Sequence, residues 1–177
     1  MAGKSATSAE KAETANTDNK KKTIDLDNLN LDAKVTVKNL AGWKVTFARI
    51  HDGIGDIVIA EDGQQRLSRN EVQAQINSGN KLFCGNDGQG SHATLYIEDE
   101  ATRYLVGFED ENTKQVVFTD DVVKNLFSMK DSEFEKKLPD YIVTRAEKYA
   151  LIEAIKRLGL NDYKKMVFAL NYTGYKI

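Results

Sequence analysis

Near Thr119 the spacing of apolar residues changes from every second position to every third or fourth. This switch constrains the chain more than any single motif does. Before it, short β-branched and aromatic runs alternate with Gly-rich turns. After it, apolar residues recur at helical intervals behind capping signals. The expected fold class is therefore α+β: a small antiparallel β-sandwich or barrel with an inserted short helix, followed by a helical C-terminal part. The expected division is 1–30 as a disordered N-terminal arm, 31–118 as a β-rich domain and 119–177 as a helical subdomain with an aromatic tail. In the arm, aliphatic residues larger than Ala are confined to Met1, Ile24, Leu26 and Leu29, too few to offset the entropy of ordering.

Strands are expected at Val35–Lys38, Trp43–Ile50, Asp56–Ala60, Gln64–Leu67, Lys81–Cys84, Ala93–Ile97 and Arg103–Phe108, with a further edge at Gln115–Phe118. The first two read as a hairpin around the Asn39–Gly42 turn. The expected core is Trp43, Phe47, Ile57, Ile59, Leu95 and Ile97. Ser68-Arg-Asn-Glu71 is a capping box, in which the Ser hydroxyl accepts from the Glu71 amide and the Glu71 carboxylate returns to the Ser68 amide. The helix it opens should stop at Gly79. Beyond Thr119 the pattern predicts a helix from Thr119, a second from Asp131 ending near Pro139, a third from the Thr144–Glu147 capping box to Gly159, and a fourth over 162–170 capped by Asn161.

Charge and composition exclude several classes. Met1 to Asn30 is neutral, Pro139 to Ile177 carries +3 and the stretch between them −5. That is no nucleic-acid footprint. The single Cys84 forbids an internal disulfide and every Cys/Cys metal spacing. No apolar run has the length of a membrane span, and the N-terminus lacks the apolar stretch of a secretory signal.

Candidate chemistry is thin. Gly85-x-x-Gly88-x-Gly90 has the wrong order and setting for a dinucleotide loop and reads as a wide hairpin loop. His51 with Asp52 and Asp56, or His92 with Cys84, gives too few ligands for a metal. Ser91 and His92 are adjacent, so they point to opposite faces and cannot converge with Glu98 or Asp99 as a nucleophilic set. The acidic runs 98–100 and 109–111 read as strand-end turns. The two last helices have the outline of a helix-turn-helix, but the second offers one basic pair, Lys164–Lys165, on an apolar remainder. The expectation is no catalytic residues, no metal and no cofactor. The interaction candidates are Leu26, Leu29 and Leu31 beside Lys20-Lys21-Lys22, and Tyr172, Tyr175 and Ile177 in the tail, where a Tyr-rich segment suits an interface or folds back on its own module.

Several stretches together resemble a protein family. Val35-Thr-Val-Lys-Asn-Leu-Ala-Gly-Trp43, Arg66-Leu-Ser-Arg-Asn-Glu-Val72, Ser78-Gly-Asn-Lys-Leu-Phe83, Gly88-Gln-Gly-Ser-His-Ala93, Tyr96-Ile-Glu-Asp99, Leu160-Asn-Asp-Tyr163 and Tyr172-Thr-Gly174 are similar to virion-associated structural proteins of tailed bacteriophages, over about 35–177. The resemblance implies a non-enzymatic structural role through protein–protein contacts, as a head, neck or tail accessory. It implies other virion proteins as partners in a multimeric assembly and localisation in the virion after assembly in the host cytoplasm. The residues themselves add the expectation of no membrane and no small-molecule substrate, and they speak against nucleic acid as a partner. The resemblance carries no functional residues. The alternative is a nucleic-acid-binding regulator that uses the C-terminal helix pair.

Overall fold

A computed structural model describes residues 24–175 of the chain. The order of elements is β1 (Lys34–Asn39), β2 (Val45–Ala48), β3 (Asp56–Ile59), β4 (Gln64–Ser68), α1 (Arg69–Asn77), α2 (Lys81–Cys84), β5 (Leu95–Ile97), α3 (Glu100–Leu105), α4 (Asp120–Ser128), α5 (Asp131–Tyr141), α6 (Arg145–Arg157) and α7 (Tyr163–Thr173). The fold mixes helices with two small antiparallel sheets, one of three strands ordered β4-β1-β5 and one pairing β2 with β3. The sheets do not close into a barrel.

The expected hairpin of Val35–Lys38 with Trp43–Ile50 does not form, and the reason is that β1 has no free edge. One edge pairs β4, with Val35 opposite Leu67, and the other pairs β5, with Val37 opposite Ile97. At its end the Asn39 amide donates to Gly63 O and the Leu40 amide to Thr94 O. The fully buried Asn39 side chain then turns the chain away: its Nδ2 donates to Trp43 O at 2.8 Å and Ala60 O at 2.9 Å, and its Oδ1 accepts from the Ala41 amide. β2 leaves to pair β3, with Phe47 opposite Ile57 and Val45 opposite Ile59.

Three other strand expectations are corrected. Lys81–Cys84 is helix α2, because Asn80 accepts from the Leu82 amide as an N-cap. Residues 85–93 therefore join a helix to a strand and are not a hairpin loop. Arg103–Phe108 mostly falls in and after helix α3, which Asp99 opens by accepting from the Thr102 amide. Residues 115–118 belong to no strand or helix. Each of these runs is short and apolar, and such runs carry no period that separates strand from helix.

Apolar side chains gather into two clusters. Both sheets, α1 and α2 share one around Val37, Leu67, Phe83 and Ile97. The helices α4 to α7 enclose the other around Leu126, Phe134, Leu151 and Ile155. Five of the six expected core residues (Phe47, Ile57, Ile59, Leu95 and Ile97) are buried, but Trp43 is 39% exposed. Thr119 and the Thr144 capping box open α4 and α6 as expected. α7 is capped by Asp162, one residue later than Asn161, and runs to Thr173. α5 continues two residues past Pro139, whose missing amide falls in the last turn. Among the described residues no helix is long and apolar enough to cross a membrane.

Phe83 is fully buried and meets Phe47 edge-on at 5.4 Å. Phe83→Ala is expected to cost about 3–5 kcal/mol through lost transfer energy and a residual cavity, measured by urea unfolding; a loss below about 1 kcal/mol would contradict this packing.

Candidate docking surface

Three features of the surface bear on function. The first is the loop between β2 and β3. Only half of the expected capping box at Ser68 forms. The hydroxyl accepts from the Glu71 amide at 2.9 Å, but the Ser68 amide donates to Asp52 Oδ2 at 3.2 Å rather than to Glu71. The fully buried Glu71 carboxylate reaches the loop instead. It accepts from the amides of Ile50 at 3.0 Å, His51 at 2.7 Å and Asp52 at 2.7 Å, and from Gln75 Nε2 at 2.7 Å. An anion is thus bound by consecutive amides, and the anion is the protein's own. The loop is fixed at its root while Ile54 at its tip is fully exposed and Ile50 is half exposed.

The second feature is a cleft of about 390 Å³ where the three-stranded sheet meets α6. Lys38 and Asn39 at the end of β1, the Glu61–Asp62 turn, Tyr96 and Glu98 form one side, and Phe118, Tyr149, Glu153 and Arg157 the other. Gly42 sets the approach of the two sides: a Cβ there would lie 1.7 Å from a carbon of the Tyr149 ring. Arg157 is held by Asp120 at 2.6 Å and Glu153 by Lys156 at 3.0 Å. Glu61, Asp62 and Glu98 have no cationic partner among the described residues. Burial and the charges of Glu153, Glu61 and Asp62 push the Tyr149 hydroxyl above its ordinary value.

The third is an aromatic rim beside the cleft. Trp43 meets Tyr149 edge-on at 6.3 Å, and Tyr149 meets Tyr175 at 5.8 Å. The Arg145 guanidinium lies 5.9 Å over the Trp43 ring and its Nε donates to the Tyr175 hydroxyl at 3.4 Å. Sequence reasoning placed Trp43 in the core because it continues the alternation of β2. The strand begins only at Val45, so the alternation does not extend to it.

The structure places the sequence candidates unevenly. Tyr172 lies on α7, where its hydroxyl donates to Ile142 O at 2.6 Å and Lys148 Nζ sits 4.6 Å over its ring. Tyr172 and Tyr175 are thus half-buried against their own module. Leu26 and Leu31 are exposed, whereas Leu29 is half-buried. Residues 24–33 are tied to α1: Arg69 Nη1 donates to Asn30 O at 2.8 Å and the Asn70 amide to Leu31 O at 3.0 Å. Lys20–Lys22 and Ile177, with the 1–23 part of the arm, lie outside the described residues.

The two histidines are not gathered with each other. His51 is half exposed, 3.4 Å from Asp52. His92 Nδ1 lies 2.7 Å from Glu147 Oε1, a contact across 55 positions that no local pattern announces. Cys84 points to Ile76 O at 3.6 Å, and burial pushes its thiol up. Among the described residues no three His, Cys, Asp or Glu side chains gather as a metal site. In the helix pair, Lys165 is buried and donates to Phe127 O at 2.7 Å, so half of the expected basic pair serves the fold. No family model, curated protein or solved structure matches the chain.

The Glu71 carboxyl titrates below its ordinary value, because hydrogen bonds from Asp52, Gln75, Ile50 and His51 outweigh the burial that would raise it. The stability this confers is present above the ordinary carboxyl value of about 4.3 and is lost as pH falls through the folded-state value. Glu71→Gln is expected to lower stability at neutral pH by about 2–3 kcal/mol and to flatten its fall below about pH 4.3. Denaturant melts across pH check both, and a variant with the wild-type acid profile would remove Glu71 from this role.

Proposed function

We propose that the protein is a non-enzymatic assembly component that acts through protein–protein contacts and offers the Trp43 rim and the adjoining cleft to a neighbouring protein. The observation that carries this reading is Trp43 itself. A tryptophan left 39% exposed, propped by Tyr149 and covered on one face by Arg145, gathers the three residue types in which binding energy concentrates at interfaces. Those side chains are already held in place, so ordering them on contact costs little. The Ile54 loop, anchored at its root by Glu71, supplies a second preformed apolar point.

The setting we favour is the particle of a tailed bacteriophage, which rests on the sequence resemblance alone. Recovery of the chain in fixed stoichiometry from purified particles, by gel and mass spectrometry, supports that setting, and its absence from them removes it. The docking reading has its own test. Trp43 is the only tryptophan of the chain, so its fluorescence reads the rim directly. Emission is expected to shift to the blue when the protein joins its assembly, and Trp43→Ala is expected to weaken that association at least about tenfold. Emission unchanged on assembly, with Trp43→Ala binding as well as wild type, would refute the rim as a contact.

A further inference from the structure

We infer that the protein forms a two-fold dimer in which the free edge of β3 in each copy pairs antiparallel with the free edge of β4 in the other. The inference goes beyond the docking reading and does not rest on the Trp43 rim. Both edges follow from the ladders, in which hydrogen-bonding residues alternate along each strand. The Arg49 amide donates to Gly55 O, so Ile57 and Ile59 bond toward β2 and the main chain of Asp56 and Val58 turns outward. The Arg69 amide donates to Ala33 O and the Asn39 amide to Gly63 O, so Gln65 and Leu67 bond toward β1 and the main chain of Gln64 and Arg66 turns outward. These outward amides and carbonyls have no hydrogen-bond partner among the described residues. The other two sheet edges are covered: Gln75 donates to Ala48 O on β2 and Arg103 to Ile97 O on β5.

A second copy suits these edges better than the chain's own strands do. The turn closed by the Gly63 amide on Ala60 O joins β3 to β4 at one end, and the Asp52 carboxylate takes the Ser68 amide at the other. The two strands thus lie alongside each other in opposite directions. They do not pair, because Asn39 holds their joined ends: its side chain takes Ile59 O and Ala60 O, and its amide takes Gly63 O. Residues 1–23 are a poor substitute, since they contain no Val, Ile, Phe, Tyr or Trp, the residue types that favour strands. A half-turn about an axis parallel to the strands sets β3 of each copy beside β4 of the other, so that the two-stranded sheet of one copy runs on into the three-stranded sheet of the second. Such a rotation leaves height along the strands unchanged, and the chain's own turn therefore sets the register. With Ala60 level with Gly63, Asp56 is level with Arg66 to within one residue. Outward residues must face each other, which selects Asp56 opposite Arg66 and Val58 opposite Gln64. The neighbouring register would set Asp56 opposite Ser68, whose amide Asp52 already holds. The selected register also matches charge. Asp56 and Arg66 are exposed and have no ion-pair partner among the described residues, and Arg66 donates to Lys34 O at 2.9 Å. Opposite charges directly across an antiparallel pair stabilise it, and the half-exposed Val58 gains cover from the stem of Gln64.

Sedimentation velocity of the full chain over a concentration series reads the dimer, and wild type is expected to show a monomer–dimer equilibrium. Val58→Pro removes an outward amide where proline leaves the β2–β3 ladder whole, and is expected to associate at least about tenfold more weakly. Asp56→Arg and Arg66→Asp each set like charges across both contacts and are expected to weaken association similarly. An equimolar mixture of those two variants should associate again, because every contact of the mixed dimer then joins opposite charges, and that recovery also shows that both are folded. Where a variant does not fold, amide exchange of wild type followed by NMR decides. Protection of the Asp56, Val58, Gln64 and Arg66 amides that grows with concentration supports the inference, and exchange unchanged while the dimer forms overturns it. A wild type that stays monomeric up to about 1 mM, the range of a weak specific contact, overturns it, as does a mixture of folded charge variants that fails to recover. Association lost in Trp43→Ala but untouched by Val58→Pro and by either charge variant overturns the edge inference and leaves the docking reading standing.

Discussion

The side chain of Glu147 is where the two apolar clusters of the chain are fastened to each other. One oxygen takes His92 at 2.7 Å, from the loop that leads into β5, and the other takes the amides of Val143 and Thr144, both at 2.8 Å, at the start of α6. The carboxylate is only 5% exposed, so its charge must be met by donors on all sides. Meeting it fixes where α6 begins relative to the sheet. From that position follow the approach of Tyr149 to Gly42, the width of the cleft and the seat of Arg145 over Trp43. Removing either partner would leave a buried polar group unpaired, which costs more than the bond itself contributes.

Other buried polar groups play the same part on a smaller scale. Arg103 is 8% exposed and donates from one nitrogen to the carbonyls of Ile97 at 2.8 Å and Glu98 at 2.8 Å, while its Nε faces Glu109 at 3.0 Å. The last pair lies within ion-pair distance but outside the angles of a good hydrogen bond, so it acts as a charge contact. Together these bonds hold α3 against the end of β5. Asn39 does likewise for the turn out of β1. The apolar residues supply most of the driving force for folding, and these few polar side chains choose which of several compact arrangements is adopted.

Legibility in the sequence follows the range of the interaction. The Thr144 capping box and Thr119 were readable because cap and partner stand three positions apart. The alternation at Val35, Val37, Phe47, Ile57 and Ile59 was readable because one face of each strand is buried. Pairing was not. Nothing near Val35 says that both edges of β1 will be taken by strands that begin at Gln64 and Leu95. Glu71 shows the limit most clearly. Its spacing from Ser68 satisfied a local rule, yet its carboxylate serves a loop about 20 positions earlier, and Asp52 takes over the expected bond. The rim was not legible for a related reason: Tyr149 and Arg145 are remote in sequence from Trp43, and the strand whose alternation counts Trp43 as core starts only two residues after it.

The Glu71 anchor reads main chain and ignores side chains. Its three loop bonds go to the amides of Ile50, His51 and Asp52, which any residue but proline would supply. Asp52 alone repays the connection with its own carboxylate, to the Ser68 hydroxyl at 2.5 Å. The letters at positions 50, 51 and 54 are therefore decoupled from the shape of the loop. Lineages could rewrite the tip to match a changing neighbour while the frame beneath it stayed the same.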